Sequence, residues 1–380
     1  MNGRLTRREL LERGAAGGAL LSIPALFGAS DALAATLGSE AGKTLTISNW
    51  PLYIDVDEKT KKRPTIEQFQ KKYGIKVKYI EDVNDNATFF GKIQGALSRG
   101  SSTGRDIIVM TDNSPYPALL VQKGWVEKLD TSVLPNIKNL QANQRHPAWD
   151  PKREYSLPWQ SGMTGIGYNA KLTKPITSVG QLLTDKKLHG KVTLLNDAED
   201  TLGLVMLENG DDPGKVTDAS FNRALKMVEK AVKSGQVRQF TGNDYSGLLA
   251  KGDIIAATVW SGDMVQLQAD NKSLRFQLPK AGGIIWTDNM LIPKGGDART
   301  ASIFMNFVYD PKIAAQIEDY VNYICPVQGA DKVLLKTDPA VAKNPLIFPP
   351  ASLRARLHQN DPKALFNADY KTKWQKLLGA

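Results

Sequence analysis

Two residues in the run Gly282-Gly283-Ile284-Ile285-Trp286-Thr287-Asp288-Asn289-Met290-Leu291-Ile292-Pro293 could do chemistry together. Trp286 and Asp288 stand two positions apart in an apolar stretch, and the period of two of a strand places them on one face. An indole beside a fixed carboxylate suits an organic cation, whose carbon chain stacks on the ring while its charge pairs with the acid. A core tryptophan next to a turn-capping aspartate is the competing local reading. A second acidic pair, Asp197 and Asp200, follows the strand-like run 191–195 and precedes a helical one. Open α/β sheets bind ligands at the carboxyl ends of their strands, and helix capping is the alternative role. Asp211-Asp212, before Pro213-Gly214, reads as a solvated turn.

Catalytic patterns are sparse. His146, His189 and His358 are isolated, with no partner at metal-ligand spacing. There is no Gly-x-Ser-x-Gly elbow and no phosphate-cradling loop ending in Lys-Ser/Thr. Cys325, the only cysteine, reads as a small buried hydrophobe and excludes an intramolecular disulfide. No metal or cofactor is expected. A Ser-His or Cys-His pair that meets only in space stays open.

The elements that must position these residues alternate in type. A strand begins at Leu45 and Ile47. Pro64 opens a helix that Gly74 closes. The run 75–80 reads as a strand with one wet face, 87–99 as a helix, 106–110 as a buried strand and 116–123 as a helix stopped by Gly124. Strands at 191–195 and 254–260 flank helices at 202–208 and 221–233. After the Trp286 strand come helices at 301–308 and 311–320, then a tail, 345–380, expected to wrap a lobe. Such alternation predicts an α/β fold with a mostly parallel sheet covered by helices.

The first 35 residues read as an export signal. Arg7-Arg8 begins it, a weakly apolar stretch runs from Gly14 to Phe27, and Ala32-Leu33-Ala34 offers a cleavage site. The paired arginines favour the twin-arginine route, so an exported protein is expected, in a periplasm or at the outer face of the cytoplasmic membrane. No later segment approaches the roughly 20 apolar residues that a membrane span needs. The remaining length, about 345 residues, exceeds one hydrophobic core and predicts two lobes. The net charge is +10, and the first 35 residues hold four basic and three acidic ones, so the surplus lies on the folded body. The lysines are scattered, and no dense basic run is interleaved with aromatics. That pattern argues against a nucleic-acid or polyanion site.

Taken in order, several landmarks give the chain a resemblance to the substrate-binding proteins of polyamine ABC transporters, the exported spermidine/putrescine receptors. They are Asn49-Trp50-Pro51-Leu52-Tyr53, Tyr73-Gly74-Ile75-Lys76-Val77, Asp106-Ile107-Ile108-Val109, Tyr155-Ser156-Leu157-Pro158, Gly165-Ile166-Gly167-Tyr168-Asn169, Asp197 to Asp200, Val259-Trp260-Ser261-Gly262, the Gly282 to Pro293 stretch and Tyr323. The resemblance implies a two-lobe periplasmic-binding-protein fold of type II kind with an interlobe ligand cleft. It assigns 43–159 and 287–332 to the first lobe, and 160–286 and 333–380 to the second. It also implies a monomer that holds a polyamine and delivers it to a membrane permease.

Carried over by position, Trp50, Tyr53, Trp260, Trp286 and Tyr323 resemble the aromatic walls around the methylene chain. Asp288 resembles the carboxylate for one ammonium, and Asp197 with Asp200 the pair for another. Three departures stand out. The family's usual glutamate is Asp200 here. The loop from Thr111 to Tyr116 is about two residues longer than the family pattern, which leaves open whether Thr111, Ser114 or Tyr116 meets the ligand. Gln359 sits where the family has a binding glutamine. The rival readings are the same scaffold holding another small organic solute and, from a different class, an exported hydrolase of small substrates.

Overall fold

The computed structural model describes residues 40–83, 85–361 and 364–379. The expected export signal lies outside the described residues. Near the start, β1 (Thr44–Asn49) pairs in parallel with β2 (Lys76–Glu81) and β3 (Ile107–Thr111). The helix Pro64–Tyr73 joins β1 to β2, with Pro64 in its first turn and Gly74 at φ 67° closing it. This left-handed cap needs a residue without a Cβ penalty. The helix buries Ile66, Phe69 and Tyr73, and the Phe69 ring lies edge-on to Phe304 at 5.1 Å.

A second parallel group repeats the logic, with β5 (Val192–Leu195) between β6 (Val237–Thr241) and β7 (Ala256–Trp260). Two long strands join the groups. These are β4 (Ser156–Asn169), buried along its whole length, and β9 (Gly283–Leu291). They run antiparallel to each other, with a bulge between Pro158 and Gln160. β9 is also antiparallel to β3, and β4 to β7. The order is β2-β1-β3-β9-β4-β7-β5-β6, with β8 (Leu274–Gln277) on β4 and β10 (Leu357–His358) on β9. The expected mostly parallel sheet is therefore corrected to a mixed one. Each end is parallel because helices cross over between its strands, and the centre is antiparallel because the chain passes between the ends and returns.

Each group carries its own core. One contains Leu45, Phe69, Ile107, Trp159, Phe304 and Tyr309, and the other Val192, Val205, Val228, Ala256 and Trp374. They meet along β4 and β9. On β9, Ile284 belongs to the second core and Trp286 to the first. The fold is thus two lobes sharing two crossing strands. The tail divides between them. Leu334 and Phe348 pack on the first core, although the second lobe was expected to take over at 333, whereas Tyr370 and Trp374 pack on the second. The Tyr370 ring stacks on Phe221 at 3.9 Å, and Trp374 Nε1 donates to the Asn196 carbonyl at 2.8 Å. No described helix is long and apolar enough to cross a membrane.

Candidate ligand cleft

Where the parallel strands of both groups end, a cavity of about 420 Å3 opens between the lobes. Its floor is the centre of β9. Asp288 stands opposite Thr111 on β3 and Gln160 on β4, and Trp286 stands opposite Gly162. Two glycines are required here by close approach. A Cβ at Gly162 would lie 2.3 Å from the Trp286 ring, and one at Gly262 would lie 2.1 Å from the Tyr323 ring. Both rings can therefore approach the backbone at these glycines while still lining the cleft.

The aromatic side chains form a continuous series. Ring centroids of Tyr53 and Tyr323 are 5.3 Å apart, those of Tyr323 and Trp286 5.8 Å, and those of Trp286 and Trp260 6.2 Å, with the T-shaped or tilted geometries such rings prefer. Trp50 follows the end of β1, and Leu52 after it is held at φ 58° and more than half exposed. Both line the cleft.

The acids are built in differently. Asp288 is buried and accepts 2.6 Å hydrogen bonds from the Tyr53 hydroxyl and the Thr111 hydroxyl. Burial outweighs these bonds and pushes its carboxyl up to about 7. Asp200, in the first turn of the helix Ala198–Glu208, accepts from Thr164 Oγ1 at 2.7 Å, Trp260 Nε1 at 2.8 Å and Asn113 Nδ2 at 3.1 Å. Burial raises it, and these donors offset only part of the rise. Asp197 is the N-cap of the same helix, yet its side chain accepts no capping bond. Loss of water, then the nearby Asp200, Glu199 and Asp85, push its carboxyl well up. Asp263, in the first turn of the helix Ser261–Asp270 directly after β7, accepts from Tyr245 at 2.6 Å and Tyr323 at 2.8 Å. It too is raised by burial.

Trp50, Tyr53, Thr111, Asp197, Asp200, Trp260, Trp286, Asp288 and Tyr323 all line this cavity. Gln359 does not. It is exposed on the tail, and its neighbour Asn360 instead donates to Asn113 Oδ1. In the lengthened loop Thr111 and Ser114 line the cavity, whereas Tyr116 stacks on Phe90. Sequence reasoning missed Asp263, Asp85, Asp244 and Asn113. The signal for Asp263 was present, since it lies one helical turn beyond Trp260, on the face that Gly262 presses against Tyr323.

What this arrangement can hold is set by its charge. Six of the lining residues are aspartates, and among the described residues none of those lining it is Lys, Arg or His. Such acids are costly in a desolvated wall unless a cation joins them. The Ser114 hydroxyl donates to the Thr111 carbonyl at 2.7 Å, so no base activates it. Cys325 is buried away from the cleft, and burial holds its thiol well up.

A family model of bacterial extracellular solute-binding proteins matches residues 65–349. The putrescine-binding periplasmic protein PotF of Escherichia coli is 31% identical over 357 residues, which cover 86% of this chain and 90% of that protein. The spermidine/putrescine-binding periplasmic protein of the same organism is 26% identical over 348 residues, covering 89% and 92%. A solved structure, described as a putative spermidine/putrescine ABC transporter from Listeria monocytogenes, superposes with a TM-score of 0.74 at 27% identity. That match covers 89% of this chain and 98% of the other.

Proposed function

The chain belongs to the bacterial extracellular solute-binding proteins, and on that premise we propose that it is the exported receptor of an ABC transporter, capturing a polyamine of the putrescine/spermidine class. The observation that carries this is a cleft lined by six aspartates and, among the described residues, by no Lys, Arg or His, in a protein whose net charge is +10. An anion receptor would need Arg side chains or uncapped helix N-termini at those places, whereas the two helix N-termini here, at Ala198 and Ser261, carry Asp197, Asp200 and Asp263. An aromatic series between acidic ends matches a ligand with ammonium groups at its ends and methylenes between.

In this reading Asp288, supported by Thr111 and Tyr53, takes one ammonium. Asp197 and Asp200 supply the negative end for the other. Trp50, Tyr53, Trp260, Trp286 and Tyr323 flank the chain between, and Gln359 has no part in the cleft. The lobes move as bodies about β4 and β9 between Gln160 and Thr164 and between Ile284 and Trp286. We place the first lobe at 43–159 and 287–348 and the second at 160–286 and 349–380, the tail changing lobes after Phe348 packs on the first core. The protein works outside the cytoplasm as a monomer, hands its ligand to a membrane permease, binds no nucleic acid and turns over no substrate.

Calorimetry and intrinsic tryptophan fluorescence against putrescine, spermidine, spermine and a set of amino acids test this. One saturable site for a polyamine is expected. Binding of an anionic or neutral solute in place of any amine would overturn the carboxylate roles. Chemical change of the bound ligand, followed by NMR, would revive the hydrolase reading.

A further inference from the structure

Asn113 sits in the lengthened loop between β3 and the helix Tyr116–Gln122, and that loop is rigidly rooted. The Asp112 amide donates to the Thr287 carbonyl at 2.8 Å, and the Thr287 amide donates to Asp112 Oδ1 at 2.8 Å, which fastens the loop to β9. From this first-lobe base the Asn113 side chain makes both its bonds to the second lobe. Its Nδ2 donates to Asp200 Oδ1 at 3.1 Å, and its Oδ1 accepts from Asn360 Nδ2. The donor and acceptor ends are fixed by these partners, because a flipped amide would set oxygen against carboxylate and nitrogen against nitrogen. Asn360 belongs to the strap that begins with β10 on β9, and Asp361 is tied to Pro213 and Val216. A Cβ at Gly203, on the helix that carries Asp200, would come within 3.0 Å of Asn360 Oδ1, so that helix and the strap are in close contact.

Asp200 itself has little capacity left for a ligand. With Thr164, Trp260 and Asn113 it has filled three of the roughly four acceptor positions a carboxylate offers, and its side chain is 2% exposed. The Asp197 side chain, by contrast, caps no helix amide, and the residue is partly exposed and lines the cleft.

We propose that Asn113 and Asp200 form a latch that holds the lobes closed, so that ammonium binding at this end of the cleft falls to Asp197. Asn113, at the edge of the cleft, is then a positioning residue whose bonds to the second lobe govern how long the ligand stays. The inference rests on the polyamine-receptor reading for its ligand but not for its geometry.

The test is a double-mutant cycle on ligand release by stopped-flow tryptophan fluorescence with putrescine and spermidine, paired with small-angle X-ray scattering of loaded and unliganded protein. A hydrogen bond to a charged group sets the scale, and Asn113→Ala is expected to speed dissociation about tenfold with the association rate unchanged. In the Asp200→Ala background the same substitution still removes the bond from Asn360 but not one to Asp200, so its effect is expected to fall to about threefold or less, and that shortfall marks the two as coupled. Asn113→Asp, which places two carboxylates face to face, is expected to increase the radius of gyration of the loaded protein. An effect of Asn113→Ala that is absent, or equal in both backgrounds, overturns the latch. If the parent protein binds no polyamine, the functional reading fails and the latch is judged by scattering alone. An increased radius of gyration for unliganded Asn113→Ala then supports it, and an unchanged one overturns it.

Discussion

Replacing Asp288 with asparagine removes one charge from the floor of the cleft and almost no volume. In the native site the carboxylate is held by Tyr53 and Thr111 at 2.6 Å each, and both hydroxyls can rotate to suit an amide. What is lost is the partner of a desolvated ammonium, for which truncation costs about 2–5 kcal/mol, or roughly 30- to several thousand-fold in affinity. The pH dependence is more diagnostic. Because burial puts the Asp288 carboxyl at about 7, the cation must displace a proton whenever the acid is protonated. Its ionised fraction falls from roughly nine-tenths at pH 8 to just under one-tenth at pH 6, so this group alone weakens binding about tenfold across that range. The ligand amines stay charged throughout. Calorimetry at pH 6, 7 and 8, in buffers of different ionisation enthalpy, would measure both the affinity and the protons released. Asp197, Asp200 and Asp263 are raised as well and remain in the variant, so the slope is expected to shrink without vanishing. A slope undiminished by Asp288→Asn, or affinity that rises on acidification, would refute the reasoning.

The same shift has a stability consequence of opposite sign. A carboxyl raised from 3.8 to about 7 favours the fold below pH 4 and loses that advantage as pH rises through 7. Asp288→Asn should therefore raise the melting temperature of unliganded protein at pH 7.5, by an amount corresponding to roughly 1–4 kcal/mol, and the gain should disappear on acidification to pH 4. Gly262→Ala forces Tyr323 off the helix Ser261–Asp270 and is expected to weaken polyamine binding at least tenfold and cost about 1–3 kcal/mol of stability, read by calorimetry and thermal melts. Trp374→Ala removes a ring packed on the second core and its bond to Asn196. It should lower stability by about 3–5 kcal/mol in a denaturant titration. Folded protein that remains should bind polyamine with less than threefold change.

Local order along this chain was legible because it depends on neighbours in sequence. The Pro64 start and Gly74 stop, the half-wet strand β2, and the shared face of Trp286 and Asp288 all follow from periodicity and capping chemistry within a few residues. The acidic and aromatic types that a cation site needs were also visible one by one. Whether they converge was decided by tertiary structure. Tyr53 reaches Asp288 across 235 residues and Thr111 across 177, through a register that β3 and β9 share only once the chain has crossed between lobes and back. Gly162 and Gly262 carry no signal in isolation, because the rings they admit come from other segments. Gln359 came from a match of position, but the register of the tail is set by the strand that it joins, β9, and leaves Gln359 exposed. The sequence by itself therefore determined which side chains could bind a cation. The crossing strands determined which of them face one another, since pairing register is a property of two segments and is written in neither alone.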